Sequence, residues 1–498
     1  MVSKTNLPTV ECKNLQSAFR NPDIADNLIK QEVEKGYQKG AFEKPPFDMY
    51  RVSPIGIVEG KYSGKKRLIV DLSSPHDSEE HSSINNLIDK EQCSLSYVRI
   101  DDAISAIKDF GRFSILNKVD ISDAFKQLGI RKDQHHLYCI KWRKLYYYYV
   151  RLCFGSRSSP KIFDNLSVAI CWIAKNNYNI PVILHLLDDY LTIQTADTSG
   201  DRTMAILTMI FKKLNIPLST KKTVGPDTTL EYLGVILDTA NMEARLPQNK
   251  VDRIISFIGT FLSRRSIRKR ELLQLLGHFN FAARVIIPGR TFVTYLISLS
   301  TKVNNLNYYV SLSPECREDL KMWHIFLKQW NRVSFFYDTL TTSSDDLVLF
   351  TDAASTLGFG GYFQGRWYSS HWPPELSYIM DSEMSMAIRA LYPIVVAAVL
   401  WSKYWIKKRI VFHCDNESTV HIINKGRSKV QDIMKLMRKL TWLAATNNFT
   451  FSSKHIPGVK NVISNALSRF DFQTFRKVAP EADVQATTCP HYSLVIWN

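Results

Sequence analysis

The sequence predicts a multidomain chain of mixed α and β structure (α+β with α/β parts), and three observations carry that expectation. The chain has 498 residues, more than one hydrophobic core normally serves, and 45% of them are apolar. Short apolar runs bounded by Gly, Pro and Asn alternate with segments of helical periodicity. Two widely separated runs, Lys118–Asp120 and Leu347–Asp352, read as strands that end in an aspartate, each opening an αβ order of its own.

The elements follow in order. Residues 1–40 are polar, with a charged helix expected around Asp23–Gly36. Gly40 to Pro46 breaks it. Ser53–Val58 and Lys66–Leu72 read as strands joined by the basic, glycine-containing loop Glu59–Lys65. Ile100, Ala103, Ile104 and Ile107 have the spacing of an amphipathic helix over Ile100–Phe110. The aromatic stretch Lys141–Val150 reads as strand. Next comes the Gly155–Pro160 loop, which opens a helix over Ile162–Ile173 and offers backbone amides to an anion or a base pair. Leu184–Ile193 reads as a hairpin with Asp188 and Asp189 at its tip. Met204–Leu214 is a helix, and Leu230–Asp238 a strand pair. Residues 247–335 read as helical, interrupted by the cations Arg264, Arg265, Arg268, Lys269 and Arg270. Thr341–Asp346 is a polar linker. Gly358–Phe363, Arg409–Asp415 and Phe449–Ile456 read as strands. Helices are expected over Ser385–Trp401, around Ser418–Asn424, and from Asn461 to Ser468.

Lys and Arg outnumber Asp and Glu by 64 to 47, a formal charge of +17 that points to a polyanionic partner. The eight cysteines form no Cys-x-x-Cys pair, so neither a zinc site nor a disulfide framework is indicated, and an intracellular protein (cytoplasm, nucleus or both) is expected. Leu391–Trp401 is the longest apolar run; it is too short to span a bilayer and contains Pro393, so no membrane role is expected.

An Asp-Asp pair alone is usually a solvated turn. Two carboxylates about 4 Å apart repel by roughly 4 kcal/mol at an effective dielectric of 20, so a cation is expected beside them. If Asp120 joins Asp188 and Asp189 from a neighbouring strand, the oxygens suit Mg²⁺ and two-metal phosphoryl chemistry.

Asp120-Ile121-Ser122-Asp123-Ala124-Phe125 and Leu186-Leu187-Asp188-Asp189 resemble the two catalytic motifs of a retroelement reverse transcriptase. In motif order, residues from about 40 to 475 resemble the polymerase of DIRS-type retrotransposons, which encode a tyrosine recombinase. The resemblance implies a right-hand polymerase (fingers, palm, thumb), a helical connection and a ribonuclease H-like αβ domain. The implied divisions are 1–246 for fingers and palm, 247–340 for thumb and connection, 346–475 for the ribonuclease H-like domain and 476–498 for a tail.

It also implies site residues. Asp120, Asp188 and Asp189 would be catalytic and bind two Mg²⁺, with Mn²⁺ as a substitute. Arg67, Lys65, Phe154 and Gly155 would contact the nucleotide, and Phe125 would block a ribose 2′-OH. Lys221 or Lys222 would lie near the leaving pyrophosphate, Leu233 and Gly234 in the primer grip. Arg264, Arg265, Arg268, Lys269 and Arg270 can track a phosphate backbone. In the second domain Asp352, Asp415 and His455 stand in family positions, the two aspartates as metal ligands. Ala390 and Asn465 replace two of the four carboxylates, which implies hybrid binding without cleavage. Glu383 is a poor substitute.

The expected partners are RNA template, DNA primer and product, RNA–DNA hybrid and dNTPs. A retroelement recombinase or capsid-like protein is a further candidate. A different class of function is a retroelement remnant that binds nucleic acid without synthesis. RNA polymerisation is disfavoured by Phe125.

Overall fold

A computed structural model describes residues 7–60, 64–76, 78, 80–329, 334–335, 342–343, 346–379, 385–428 and 430–497. The chain divides into two compact units, Met1–Tyr232 and Leu233–Asn498. The division falls inside the Leu230–Asp238 segment rather than after residue 246, and the helical segment shares a unit with the second αβ domain.

The first unit is organised around an antiparallel sheet with strand order Val224–Asp227, Ile115–Asp120, Asp189–Gln194, Val182–Leu186. Helices Ser159–Tyr178 and Gly200–Lys213 supply Phe163, Ile170, Leu207 and Phe211 to a core shared with Val119, Ile183 and Tyr190. Burial of such side chains stabilises by roughly 1.5–3 kcal/mol each. A second sheet has the order Val10–Glu11, Arg51–Val52, Cys139–Trp142, Leu145–Tyr149, Gln38–Phe42. Beside it stands the hairpin Ile55–Glu59/Lys66–Val70, in which Val58 faces Arg67; part of its loop, 61–63, lies outside the described residues.

In the second unit, helices Gln248–Leu262, Lys269–Ala282 and Pro314–Gln329 form a bundle in which Phe279 stacks on Trp323 at 4.4 Å. The break expected at the basic cluster takes the form of a strand, which a helical reading of 247–335 does not include. Ser266–Arg268 is a strand, paired antiparallel with Tyr309–Ser311. Ile267 is the apolar residue that faces inward, and extended backbone lets it bury alone while its neighbours stay in water.

The αβ part has an antiparallel meander, Leu349–Ala353, Gly358–Phe363, Arg366–His371, and a parallel pair, Arg409–Cys414 with Thr450–His455. The polar linker expected at Thr341–Asp346 includes Thr342–Ser343, which pairs in parallel with Arg409–Cys414. Gly360 lets the meander touch helix Val462–Ser468, because a Cβ there would lie 2.5 Å from Leu467 Cβ. Helix Ser385–Trp401 fills the core. Together with its continuation it is long and apolar enough over Met386–Tyr404 to cross a membrane, contrary to the expectation from sequence. However, 67% of the qualifying window is buried in the unit, as for a core helix. The Pro393 carbonyl accepts from the Tyr368 hydroxyl at 2.7 Å.

Buried Arg438, on helix Gln431–Thr446, pairs with buried Asp319 on Pro314–Gln329 and joins the helical and αβ parts. The 476–498 segment, patternless in sequence, is no loose tail. Val495 is fully buried in the αβ core, and Thr487 N donates to the Trp367 carbonyl at 2.7 Å.

Candidate active site

The antiparallel register sets Asp120 directly opposite Asp189. Asp188 occupies the two-residue turn between Leu186 and Asp189, and its carbonyl accepts from Ile121 N at 3.0 Å. Leu187, the other turn residue, has φ +55°, the left-handed conformation that two-residue hairpins demand and that a leucine adopts only under strain. The Ser167 hydroxyl holds it by donating to the Leu187 carbonyl at 2.9 Å.

The three carboxylates are thus brought together at one end of the sheet. Asp120 is buried, and Lys222 Nζ donates to its Oδ2 at 2.9 Å. The structure therefore brings Lys222 to the carboxylates. Lys118 Nζ lies 3.3 Å from Asp189 Oδ2, while Asp189 Oδ1 is buried without a hydrogen-bond partner. Burial pushes the Asp189 carboxyl up to about 6; Lys118 opposes this, and Asp120 and Asp188 add to it. Its protonated form therefore stabilises the fold below the ordinary value of 3.8, and that contribution is lost as pH rises through about 6. Burial, with Asp120 adding to it, also raises Asp188. The hydrogen bond to Asp120 raises Lys222.

Lys118 was missed in the sequence reading, although its position two residues before Asp120 puts both on one face of the strand. Among the described residues no group of three His, Cys, Asp or Glu side chains is arranged to hold a metal ion, and lysines stand at two of these carboxylates. The donors still fit a hard divalent cation. They are carboxylates only, two have raised proton affinity, and one oxygen is buried and unpartnered.

Phe125 follows Asp123, itself held by Lys35 at 2.8 Å and by the Tyr37 hydroxyl at 3.0 Å. The Phe125 ring is buried, with its centroid 4.9 Å from Phe154 and 5.5 Å from Phe163; Phe154 is 52% exposed. Gly155 has φ +98°, and a Cβ there would stand 2.7 Å from the Val70 carbonyl oxygen, so this loop abuts the hairpin strand that carries Arg67. Asn85 fastens it, donating to the Gly155 carbonyl at 2.9 Å and accepting from Arg157 N at 2.8 Å. Arg67 is exposed on its strand. Lys65 is exposed at the loop's end and helps hold the Asp123 carboxyl down, against burial.

No protein-family profile matches the chain. It is 22% identical over 443 residues to the enzymatic polyprotein of figwort mosaic virus (strain DxS), covering 85% of this chain and 59% of that one. It is 19% identical over 364 residues to the transposon Tf2-3 polyprotein of Schizosaccharomyces pombe, covering 72% of this chain and 26% of that one. The chain thus spans well under two thirds of either relative. Among solved structures, foamy viral protease-reverse transcriptase in complex with dsDNA aligns at TM-score 0.51 and 16% identity, over 91% of this chain and 86% of that one. The same protein with RNA/DNA hybrid aligns at 0.50 and 17%, over 91% and 56%. The fold is that of a reverse transcriptase.

Within the second unit of this reverse transcriptase fold, Leu233 and Gly234 have φ +46° and +78°, and Lys250 Nζ donates to the Gly234 carbonyl at 2.8 Å. The basic cluster is not uniform. Lys269 Nζ is committed to the Val303 carbonyl at 2.5 Å, and Arg264 pairs with Glu271 at 3.3 Å. Arg265, Arg268 and Arg270 are exposed.

Asp352, Asp415 and Ala390 line one cavity, with Arg389 and His413 beside them. Burial raises the Asp352 carboxyl; the Ser468 hydroxyl, donating at 2.6 Å, opposes this, and nearby Asp415 adds to it. His455 Nε2 lies 3.1 Å from the Asp415 carbonyl oxygen. The Asn465 amide donates to the Gly458 carbonyl at 2.9 Å. Glu383 lies outside the described residues. The sequence reading did not single out Arg389.

Proposed function

We propose that the chain is the RNA-directed DNA polymerase of a retrotransposon of DIRS type, also able to copy DNA, with a fused ribonuclease H-like domain that binds RNA–DNA hybrid without cutting it. The observation that carries this reading is the placement of Asp188 beside the facing pair Asp120 and Asp189. The polyprotein relatives, and the nucleic acids named with the solved structures, support the choice of partners.

Asp120, Asp188 and Asp189 would hold Mg²⁺, which when bound supplies positive charge for the triphosphate and a more acidic primer 3′-OH. Lys222, which its hydrogen bond to Asp120 keeps in the ammonium form, would stand near the leaving pyrophosphate as its proton donor. Arg67 offers a planar fork to the phosphates. Phe125, in ring contact with Phe154 and Phe163, would exclude a 2′-OH from the nucleotide site.

A binding-only remnant is the second reading. The two lysines already paired with the carboxylates favour it. Primer extension on RNA and DNA templates decides between the two: synthesis by the native chain excludes the remnant.

Asp352 and Asp415 are the carboxylates among the described lining residues of the ribonuclease H-like cavity, and two Mg²⁺ facing these two alone would leave about two positive charges uncompensated. Arg389 stands at the same wall.

Three outcomes are expected. Asp188→Asn should lower primer extension by orders of magnitude while hybrid affinity stays near that of the native chain; normal extension would contradict the assignment. In the same assay Phe125→Ala should raise ribonucleotide incorporation, and unchanged sugar discrimination would reduce Phe125 to a core residue. Labelled RNA annealed to DNA should survive the native chain in Mg²⁺ and in Mn²⁺. Ala390→Glu with Asn465→Asp should restore cleavage, each alone restoring less than the pair. Efficient cutting by the native chain would overturn this part.

A further inference from the structure

The short ribbon Ser266–Arg268/Tyr309–Ser311 carries a feature that polymerase chemistry does not use. Its register pairs Ile267 with Val310 and Arg268 with Tyr309. Because side chains alternate across a strand, Ile267 and Val310 share one face and Arg268 and Tyr309 the other. The inner pair is buried, at 0% and 5% exposure. On the outer face Arg268, Arg264, Arg270, Asn307 and Tyr309 border a single open groove. Three guanidinium groups there face one carboxylate, Glu271, which already pairs with Arg264 and accepts from Arg268 N at 2.9 Å. Tyr309 is 60% exposed and its neighbour Tyr308 61%. Arg268 Nε donates to the Tyr309 hydroxyl at 3.2 Å and its guanidinium carbon lies over the ring, 5.4 Å from the centroid, which fixes the ring's orientation while the residue stays largely exposed.

Arginines alone would suit the outside of any duplex. An oriented, exposed aromatic ring set among them adds a different recognition element. A duplex keeps its base faces stacked inside and offers nothing to such a ring, whereas an unpaired base can lie flat on it.

We propose that this groove is a single-stranded nucleic-acid site, with an unpaired base stacked on Tyr309 and flanking phosphates on Arg264, Arg268 and Arg270. The proposal rests on the reading that the chain handles nucleic acid, and it narrows the substrate of the basic cluster from duplex backbone to an unpaired strand.

The test is equilibrium binding of the full chain to labelled oligo(dT) and to an abasic phosphodiester strand of equal length, across a salt series without triphosphate or divalent cation. Tyr309→Ala should weaken oligo(dT) binding by roughly five- to a hundredfold, the worth of one stacked base. It should leave the abasic strand and the salt slope unchanged. Tyr309→Phe keeps the ring and should bind oligo(dT) within about twofold of the native chain, since stacking needs only the ring face. Arg264→Ala with Arg270→Ala should flatten the slope by roughly 0.7 for each phosphate lost. Equal losses on both strands, an unaffected oligo(dT) affinity in Tyr309→Ala, or a Phe variant as weak as the Ala variant overturns the proposal. None of these outcomes depends on whether the palm carboxylates support synthesis.

Discussion

The first unit depends on a repulsion that its backbone enforces. Asp120 and Asp189 face each other because the strands around them pair residue for residue from Asp189–Asp120 to Gln194–Ile115, and Asp188 is fixed by the turn between. Carboxylates about 4 Å apart at a protein surface oppose one another by roughly 4 kcal/mol, and partial burial adds to the cost. The surrounding packing holds them there. Tyr190, Leu191 and Ile193 are fully buried behind the turn. On the helix alongside, Ser167 bonds to Leu187, while Asp164, His185 and Cys171 form a chain with spacings of 3.2 and 3.5 Å. Lys118 and Lys222 then neutralise part of the charge. A strained turn clamped from behind thus holds three carboxylates together at one end of the sheet.

Much of this was legible in the sequence because strand patterning is local. The helix Ile100–Phe110 and the strand Gly358–Phe363 have the extents that periodicity suggests, while the aspartate-bearing strands run Ile115–Asp120 and Leu349–Ala353, overlapping the expected Lys118–Asp120 and Leu347–Asp352. What was not legible depended on partners distant in the chain. Asn85 acts through Gly155 and Arg157, more than sixty residues away. Arg438, on helix Gln431–Thr446, is charged yet buried, and its place is explained only by the counter-charge of Asp319. Val495 sits in the short apolar run Leu494–Trp497, too brief for a period to show, and only the tertiary core gives it meaning. The basic cluster misled for a different reason. Its strand exposes alternate residues around one buried isoleucine, a span too short for a period of two to stand out against flanking helices.

The second unit shows the same economy of polar contacts in its αβ part. Ser468 and Asn465 lie on one short helix that Gly360 admits against the sheet, and their side chains reach Asp352 and the Gly458 carbonyl. The cavity floor is therefore braced by hydroxyl and amide hydrogen bonds, with two carboxylates and a guanidinium at its wall.

The central claim is that enforced crowding of Asp120, Asp188 and Asp189 creates an affinity for a divalent cation. The direct measurement is a carboxyl carbon-13 NMR titration of aspartate-labelled protein, with Asp189 assigned by its Asn variant, in the absence and presence of Mg²⁺. Without the ion, Asp189 should titrate near pH 6, and adding Mg²⁺ should move its midpoint down. A midpoint in the ordinary carboxylate range that ignores Mg²⁺ would contradict the account.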